Sequence, residues 1–180
     1  MPWPVEQPVL SDRVVSLRAV RGVDAAAIYE ACQDPDIQHF TQVPVPYQRS
    51  DAETFTALCS QWWRERMTAN FAVCSATAGA FLGVLGVIGA DHRTHTAGFG
   101  YWTAPWGRGQ GATIRAAKLA SHWALTIGGI RTLTAEAELS NPASMQVLAN
   151  VGFTRAEGED LTMELKGTLR TFSVWRMTAG

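Results

Sequence analysis

The segment from Pro105 to Leu125 joins three closely spaced glycines to an alanine-rich run, and its residue types point to anion binding. Gly107, Gly109 and Gly111 alternate with larger residues, and Arg108 between them adds a full positive charge. A strand-like run precedes this loop and a helix-like run follows it. The first amides of a helix lack intrahelical acceptors and carry the positive end of its dipole. The sequence therefore predicts a cradle for a phosphate or pyrophosphate.

The same glycines are compatible with two further interpretations. One is that they only shape a tight turn between a strand and a helix. The second is a dinucleotide site, because GRGQGA satisfies G-x-G-x-x-A and Glu136 and Glu138 lie about the right distance downstream. That fingerprint normally occupies the first strand–helix turn, whereas here it follows position 100. A P-loop is excluded, since the chain has no G-x-x-x-x-G-K-[ST] pattern.

The elements that must position this loop are predicted from hydrophobic periodicity. Strands are predicted at 13–20, 70–76, 80–90, 97–104, 131–139, 161–166 and 171–178. Helices are predicted at 22–33, from about 50 onwards, from the glycine loop to Gly128, and at 141–153. This order implies a single α/β (α+β) domain over residues 1–180, with a mixed central sheet of about six to seven strands flanked by about four helices.

Two segments of the first half carry more detailed predictions. Residues 34–48 hold three prolines and show no period, so an extended loop is expected there. Ser50 and Glu53 have the spacing of a capping box, which predicts the start of the next helix. The apolar stripe expected on that helix comprises Phe55, Leu58, Cys59 and Trp62.

Composition and charge limit the partners. The chain is 47% hydrophobic with a net charge of −1, so no bulk field draws it to nucleic acid or to an acidic membrane. No apolar run approaches the ~18 residues of a membrane helix, and MPWPVEQPVL is not a secretory signal. Cys32, Cys59 and Cys74 lie in apolar contexts without C-x-x-C spacing, which indicates reduced core thiols. These features predict a cytoplasmic protein with no nucleic-acid or membrane partner.

Three segments together resemble one enzyme family. RGQGAT (108–113) resembles the R/Q-x-x-G-x-G/A motif of the GNAT superfamily of acetyl-CoA-dependent N-acetyltransferases. GYWTAP before it and NPASMQVLANVGF after it are similar to the ribosomal-protein-alanine N-acetyltransferase branch. The resemblance covers essentially the whole chain and implies a single GNAT-type domain. One departure is Thr113, which stands where the family prefers Gly or Ala and is expected to narrow the approach of a pyrophosphate.

The resemblance implies that acetyl-CoA is the acetyl donor. Its pyrophosphate would lie on the amides of 109–113, and its pantetheine arm would run beside the strand at 102–104. The cofactor-binding residues implied in this way are Trp102, Thr103, Ala104, Arg108, Gly109, Gln110, Gly111, Ala112, Thr113 and Asn141.

Asn141 and Ser144 match the N-x-x-S of the family. The resemblance implies that Asn141 contacts the pantetheine arm and that the Ser144 hydroxyl donates a proton to the departing sulfur. Asn141 followed by Pro142 is also a good N-cap and N1 pair, which accounts for the same residues by helix capping alone. The two roles are compatible, because capping needs only one side-chain atom.

No general base stands out. Related enzymes often carry a Glu on the strand before the glycine loop, and this chain has Gly98 there. Glu138 is therefore grouped with Ser144 and Asn141 as a catalytic candidate, and Glu136 is an alternative; a solvated strand face also accounts for both glutamates. The remaining base candidates are His92 and His95. DHRTH is a poor metal site, so no metal is predicted, and no cysteine has the context of an acetylated nucleophile.

The lack of a strong base bears on the acceptor. An α-amine titrates near ~7.7–8.0 and a lysine near ~10.4, so such a site suits a peptide N-terminus or a small amine of low pKa. The resemblance places the acceptor beside the loop between the first helices, whose aromatic character predicts an apolar or neutral acceptor; the alternative is that these aromatics are core. The residues concerned are His39, Phe40, Pro44, Pro46, Tyr47, Trp62 and Trp63.

The resemblance thus predicts acetyl transfer to a primary amine, on a small molecule or a protein N-terminus, by direct attack in a ternary complex. A non-catalytic acyl-CoA-binding domain is the alternative, suggested by Gly98 and Thr113. A homodimer is left open.

Overall fold

The computed structural model describes residues 3–180, and this part of the chain forms one nine-stranded sheet with five α-helices. The helices are α1 (Ala25–Ala31), α2 (Pro35–Phe40), α3 (Arg49–Arg64), α4 (Ala112–Thr126) and α5 (Pro142–Val151). The strands are β1 (Leu10–Ser11), β2 (Val15–Ala19), β3 (Ala69–Ser75), β4 (Phe81–Asp91), β5 (Thr96–Thr103), β6 (Thr132–Glu138), β7 (Thr154–Arg155), β8 (Leu161–Leu165) and β9 (Thr168–Thr178).

The sheet runs in the order β1-β2-β3-β4-β5-β6-β9-β7, with β8 also paired to β9. Within residues 3–180 the only parallel pair is β5 with β6, which α4 connects. These two strands pair only from Thr96 and Thr132 to Gly98 and Thr134. Beyond Gly98 they part, and we call the opening between 99–103 and 135–138 the split. A sheet with one parallel pair is not a doubly wound dinucleotide fold.

One face of the sheet packs against α4 and α5. Alternate strand residues, among them Leu85, Phe99 and Leu133, are buried in one cluster with Ala116 and Ala120 of α4. The alanines let α4 approach the sheet closely, because they carry almost no side-chain volume. Four polar residues of this helix lie outside that cluster and are exposed; they are Arg115, Lys118, His122 and Thr126.

The opposite face packs against α1 and α3. Ala25, Ile28 and Cys32 of the first helix and its C-cap are buried in this second cluster. All three cysteines are buried and free. Burial raises the pKa of Cys32 and of Cys59 to about 12, so both thiols stay protonated. They are core residues, in agreement with the sequence.

The expectation of an extended loop over 34–48 is wrong for residues 35–40, which form α2. Asp34 caps this helix, because its carboxylate accepts from the amides of Asp36 at 3.1 Å and Ile37 at 3.0 Å. Pro35 occupies the first helical position, where its missing N–H removes no helical hydrogen bond. Ile37 then enters the core. Pro35 is one of the prolines from which a loop is predicted, and in the structure it begins a helix.

The predicted start of α3 is also wrong in detail. The helix begins at Arg49, and the amide of Gln48 donates to the Asp51 carboxylate at 2.7 Å. The capping interaction is therefore two residues earlier than the predicted pair of Ser50 and Glu53. The buried stripe turns accordingly, and its members are Ala52, Thr56, Cys59 and Trp63.

The seven predicted strands are all present, and the sheet gains two strands of two residues each, β1 and β7. Such strands are too short to show a period of two in the sequence. None of the helices formed by residues 3–180 has the length and apolar character needed to cross a membrane.

Candidate active site

The glycine loop lies at the end of β5, where the chain turns into α4. A 3₁₀ turn at Pro105–Gly107 follows the strand. Gly109 and Gly111 then adopt φ of 75° and 70°, and Gly111 is the N-cap of α4. In this left-handed region a Cβ costs roughly 1–2 kcal/mol, which accounts for glycine at both positions. The loop therefore needs glycine for its own backbone shape.

The loop also leaves a row of amides without acceptors. Within residues 3–180, none of the six backbone N–H groups from Gly109 to Ile114 donates a hydrogen bond, and no side chain caps α4. They lie at the positive end of the α4 dipole. A row of free amides at a helix N-terminus is an anion site. The free donors cover the range 109–113 predicted as a cradle and include Ile114, and anion binding there stays a prediction.

Arg108 is engaged in an ion pair that the sequence did not suggest. Its Nη2 lies 2.6 Å from Asp34 Oδ1, and its Nη1 lies 3.2 Å from Asp34 Oδ2 and 3.5 Å from Asp36 Oδ2. Burial acts to raise the pKa of Asp34, but the Arg108 guanidinium and the Ile37 and Asp36 amides outweigh it, and the pKa is lowered. The charge of Arg108 is therefore balanced by carboxylates of α2 and its cap.

The narrowing of the cradle expected from Thr113 stays a prediction, and the structure shows what its hydroxyl contacts. Thr113 is the second residue of α4, and its Oγ1 lies 2.5 Å from Oγ1 of Thr103 on β5. The loop ends at Gly111. The hydroxyl of Thr113 is thus used in packing α4 against the strand.

The split exposes one edge of β5 beside the cradle. Past Gly98 the strand pairs only with β4, so its other edge, including residues 102–103, has no strand partner within residues 3–180. Trp102 packs its ring against Phe81 at a centroid distance of 6.0 Å, and Ala104 is fully buried. The open edge at 102–103 therefore offers backbone groups rather than exposed side chains, whereas the N–H and carbonyl of Ala104 already bond to Leu82 at 2.9 Å and to Gly107 at 2.8 Å.

The N-terminus of α5 lies on the other side of the split. Asn141 caps it, because its Oδ1 accepts from the amide of Ser144 at 3.0 Å, with Pro142 at the first helical position. Capping uses the amide oxygen alone. The Nδ2 of Asn141 has no hydrogen-bond partner within residues 3–180 and stays available to a ligand.

Tyr101 connects the two sides, and sequence reasoning missed it. Its hydroxyl lies 3.1 Å from the Ser144 Oγ and 3.1 Å from the Ser144 carbonyl oxygen. Burial raises the pKa of Tyr101 to about 12, so the hydroxyl keeps its proton and can donate. Strand alternation places Tyr101 on the same face as Phe99 and Thr103, towards α4 and α5. That alternation is the signal in the sequence that could have found it.

The two glutamates of β6 differ in their surroundings. Glu138 Oε2 lies 3.2 Å from Arg170 Nη1, and Ser140 donates to Glu138 Oε1 at 2.8 Å. The Glu138 and Arg170 side chains are each 12% exposed. Glu136 is exposed and has no ion pair or hydrogen bond with any side chain in the described part of the chain. It shares the sheet face of Gly98 and Gly100.

The histidine candidates lie elsewhere. His92 Nε2 is 3.0 Å from the carbonyl oxygen of Arg66, and His95 Nδ1 is 2.9 Å from that of Gly129. Both belong to the turn before β5, whereas the cradle follows that strand. The eight residues of β5 separate the two ends by roughly 25 Å. The structure does not bring these histidines to the site.

The sheet face beside the split is nearly bare. We call Gly86, Gly98 and Gly100 the glycine patch. Gly86 is buried, and a Cβ there would lie 2.8 Å from Oδ1 of Asn70 and 2.9 Å from Cγ1 of Ile88, whereas one at Gly100 would lie 3.2 Å from Cδ1 of Ile88. Asn70 and Ile88 are the side chains nearest to this face; Asn70 is 6% exposed and Ile88 is 48% exposed.

Two of the aromatics proposed for the acceptor loop are core residues instead. Tyr47 and Trp63 are 6% exposed, each in one of the two buried clusters. Phe40 and Trp62 are half-buried, and His39 is an exposed residue in the last turn of α2. The part of the predicted loop that lies at the split is therefore α2.

The structure combines a split between two parallel strands, an amide cradle and a crossover helix. This combination defines the class of protein. The family model described as Acetyltransferase (GNAT) domain matches residues 15–154, and the chain belongs to that family. It is therefore an acetyltransferase, and acetyl-CoA is its acetyl donor.

Solved structures share the fold at low sequence identity. A RimL ribosomal L7/L12 α-N-protein acetyltransferase in complex with coenzyme A is 18% identical with a TM-score of 0.83, covering 95% of this chain and 98% of that one. The ribosomal-protein-S5-alanine acetyltransferase of Vibrio fischeri is 14% identical with a TM-score of 0.83, covering 96% and 97%.

The spermidine N-acetyltransferase of Vibrio cholerae, in complex with CoA and spermine, is 19% identical with a TM-score of 0.79, covering 93% and 97%. A search of curated protein sequences finds no significant match. The structural likenesses agree with the resemblance drawn from the sequence, and they establish the fold.

Proposed function

We propose that the chain is an N-acetyltransferase that transfers the acetyl group of acetyl-CoA to a primary amine, by direct attack in a ternary complex. The observation that carries this proposal is the row of six free amides, Gly109 to Ile114, at the base of the split. The row suits a pyrophosphate, and the split beside it leaves one edge of β5 open to a linear amide-bearing chain.

Acetyl-CoA fits the residues present. The amides of 109–114 are proposed to hold its pyrophosphate, with Arg108 beside them. The free edge of β5 at Trp102 and Thr103 is proposed to pair with the pantetheine arm, whose amides can replace the missing strand partner, and Ala104 is proposed as a packing contact beside it. Asn141 is proposed as a further contact through its free Nδ2.

The donor supplies a thioester, so the amine nitrogen bonds to the acetyl carbon, the carbon–sulfur bond breaks, and the departing sulfur takes a proton. We assign that proton to the Ser144 hydroxyl. The Tyr101 hydroxyl, 3.1 Å from Ser144 Oγ, holds this group at the side of the split. A proton donor placed in this way typically contributes about 10²–10⁴-fold to the rate.

The amine is proposed to lose its proton to water rather than to a strong base. Gly98 carries no side chain, and Glu138 is held by Arg170. Glu136 is the exposed carboxylate on the same face, and we assign to it the acceptance of that proton through water. A site of this kind favours an amine with a sizeable neutral fraction at pH 7, such as a peptide α-amine near ~7.7–8.0, of which roughly a tenth to a sixth is neutral, over a lysine near ~10.4.

The acceptor is proposed to be a peptide or protein N-terminus or a small amine of low charge. The glycine patch gives a flat, uncharged surface, and two solved structures of the same fold are named as acetyltransferases of a protein α-amine and of a polyamine. A polyamine carries more charge than a protein α-amine. Comparing these two acceptor classes therefore tests whether the site prefers an amine of low charge.

The test is a matched acceptor panel with labelled acetyl-CoA, in which both acetyl transfer and free thiol are measured. The panel contains peptides beginning with Ser or Ala, the same peptides blocked at the α-amine but carrying a lysine, and spermidine. We expect transfer to free N-termini at a kcat/KM at least about tenfold above that for the blocked lysine peptides, given the difference in amine pKa.

The pH profile tests the base. If the substrate amine loses its own proton, the apparent pKa of kcat/KM moves with the amine when acceptors are exchanged. Glu136→Gln is expected to lower kcat/KM, and Glu138→Gln is its matched control. A fixed apparent pKa that disappears in Glu138→Gln would overturn the assignment to Glu136. CoA binding without transfer to any amine would overturn the acetyltransferase proposal.

A further inference from the structure

The helix α2 crosses the split, and its two ends are held differently; we call this helix the strap. Its N-terminal end is held at the glycine loop, through Asp34 and Arg108. At the other end, Arg170 donates to the carbonyl oxygen of His39 at 2.7 Å, and Lys166 donates to that of Gln38. The helix thus spans from the end of β5 to the hairpin of β8 and β9 on the α1 and α3 side of the sheet.

The N-terminal tie is ionic and local to the cradle. Arg108 makes a bidentate contact with Asp34 at 2.6 and 3.2 Å, and the Asp34 side chain is 13% exposed. Arg108 directly precedes the six free amides of 109–114. Phosphate is a strong bidentate partner for a guanidinium, and a pyrophosphate carries more charge than one carboxylate.

The C-terminal tie lies away from the cradle, and its one ionic contact within residues 3–180 is the 3.8 Å approach of His39 Nε2 to Glu138 Oε2. Arg170 and Lys166 bond to main-chain carbonyl groups of α2, and they belong to the hairpin of β8 and β9, on the far side of the split from the cradle. These bonds involve neither Arg108 nor the amides of 109–114, so a phosphate at the cradle has no direct contact with them.

We propose that Asp34 and the phosphates of the CoA thioester compete for Arg108, so that loading the donor releases the N-terminal end of α2 and opens the acceptor side of the split. This inference rests on the proposed binding of CoA at the cradle. A ligand shifts a conformation only by its differential affinity for the two states, and the exchange of partners at Arg108 supplies that difference. Linkage makes the effect reciprocal, because a closed strap weakens CoA binding.

Asp34→Asn is the decisive variant. Asparagine caps a helix as well as aspartate, so α2 keeps its N-cap while the ion pair is lost. We expect the Kd for CoA, measured by calorimetry, to fall about threefold to tenfold, the range for a partly buried, charge-assisted pair that no longer competes. Asp36→Asn is the matched control, since Asp36 is 68% exposed and lies 3.5 Å from Arg108. Its effect should stay below about twofold.

Hydrogen exchange of residues 35–41 gives a second readout that needs no acceptor. CoA should speed exchange there in the parent chain, whereas S-acetylpantetheine, which lacks the phosphates, should not. In Asp34→Asn exchange should be fast without ligand and insensitive to CoA. Unchanged or slowed exchange of 35–41 in a chain that binds CoA, or an unchanged Kd in Asp34→Asn, would overturn the strap and leave the proposed function intact. If CoA does not bind the parent chain, both are overturned.

Discussion

The aromatic cluster and the glycine patch are built in opposite ways. In the aromatic cluster, which we define as Trp3, Trp63, Phe71 and Trp123, ring centroids lie 4.9 to 5.9 Å apart and each ring is at most 6% exposed. In the glycine patch three neighbouring positions have no side chain at all. One region fills its volume with protein atoms, and the other leaves its volume for a ligand.

The polar groups of the cluster and those near the patch also differ in how many have hydrogen-bond partners within the chain. In the cluster, Trp3 Nε1 donates to the carbonyl oxygen of Gly128 at 2.8 Å and Trp63 Nε1 donates to that of Val5 at 3.1 Å, while Trp123 Nε1 is a single buried donor without a partner within residues 3–180. Beside the patch, six consecutive backbone amides at 109–114 have no acceptor within residues 3–180. Buried polar groups are normally paired in the chain itself, so unpaired groups grouped at one place indicate where a ligand binds. Stability and binding are therefore concentrated in different parts of this sheet.

Truncation in the aromatic cluster should have the largest effect. Trp123→Ala removes a ring that contacts three other aromatic side chains and is 2% exposed. We expect the free energy of unfolding in urea to fall by about 3–5 kcal/mol. Trp106→Ala is the control, because Trp106 is 42% exposed, and it should cost less than about 1 kcal/mol. Equal losses of unfolding free energy in the two variants would mean that the aromatic cluster contributes no more to stability than an exposed ring does.

A change at the α5 side of the split should affect turnover and spare folding. Ser144→Ala removes the proposed proton donor, and we expect kcat/KM to fall about 10²-fold while the Kd for CoA changes less than about twofold. Ser140→Ala serves as control, since Ser140 bonds to Glu138 outside the proposed reaction path. The role of Ser144 is refuted if the two alanine variants retain the same activity.

Filling the glycine patch should weaken acceptor binding alone. Gly100→Val places methyl groups beside Ile88, whose Cδ1 is a flexible atom 3.2 Å from the new Cβ. We expect the acceptor KM to rise about tenfold, the cost of lost contact with the sheet surface, while the free energy of unfolding changes by less than about 1 kcal/mol. Gly22→Ala, with nothing within 4 Å of its Cβ, is the control. A loss of stability as large as that of Trp123→Ala would show that the patch is core.

The smallest effect is expected at Thr113. Thr113→Ala removes the 2.5 Å contact with Thr103, which joins α4 to β5. The Kd for CoA should change less than about twofold, and the free energy of unfolding should fall by about 0.5–1.5 kcal/mol. A tenfold loss of CoA affinity would instead mean that the hydroxyl contacts the pyrophosphate.

Local signals in the sequence were enough for most elements and for part of the site. Gly109 and Gly111 indicate a turn into a helix, and Asn141 with Pro142 indicates a capped helix, because these effects act within three or four residues. The buried cysteines followed from their apolar neighbours. The start of α2 could not be predicted in this way, since Asp34 and Pro35 are both turn and capping residues and only the burial of Ile37 decides between the two.

The contacts that give the site its chemistry join distant parts of the chain. Arg108 and Asp34 are 74 residues apart, Tyr101 and Ser144 are 43 apart, and Glu138 and Arg170 are 32 apart. The sequence by itself determined the glycine loop, its flanking strand and helix, and the family they indicate, because each depends on a short run of residues. Only the tertiary structure decided which charges are balanced, which amides stay free and what crosses the split, because the order of strands in the sheet brings those residues together.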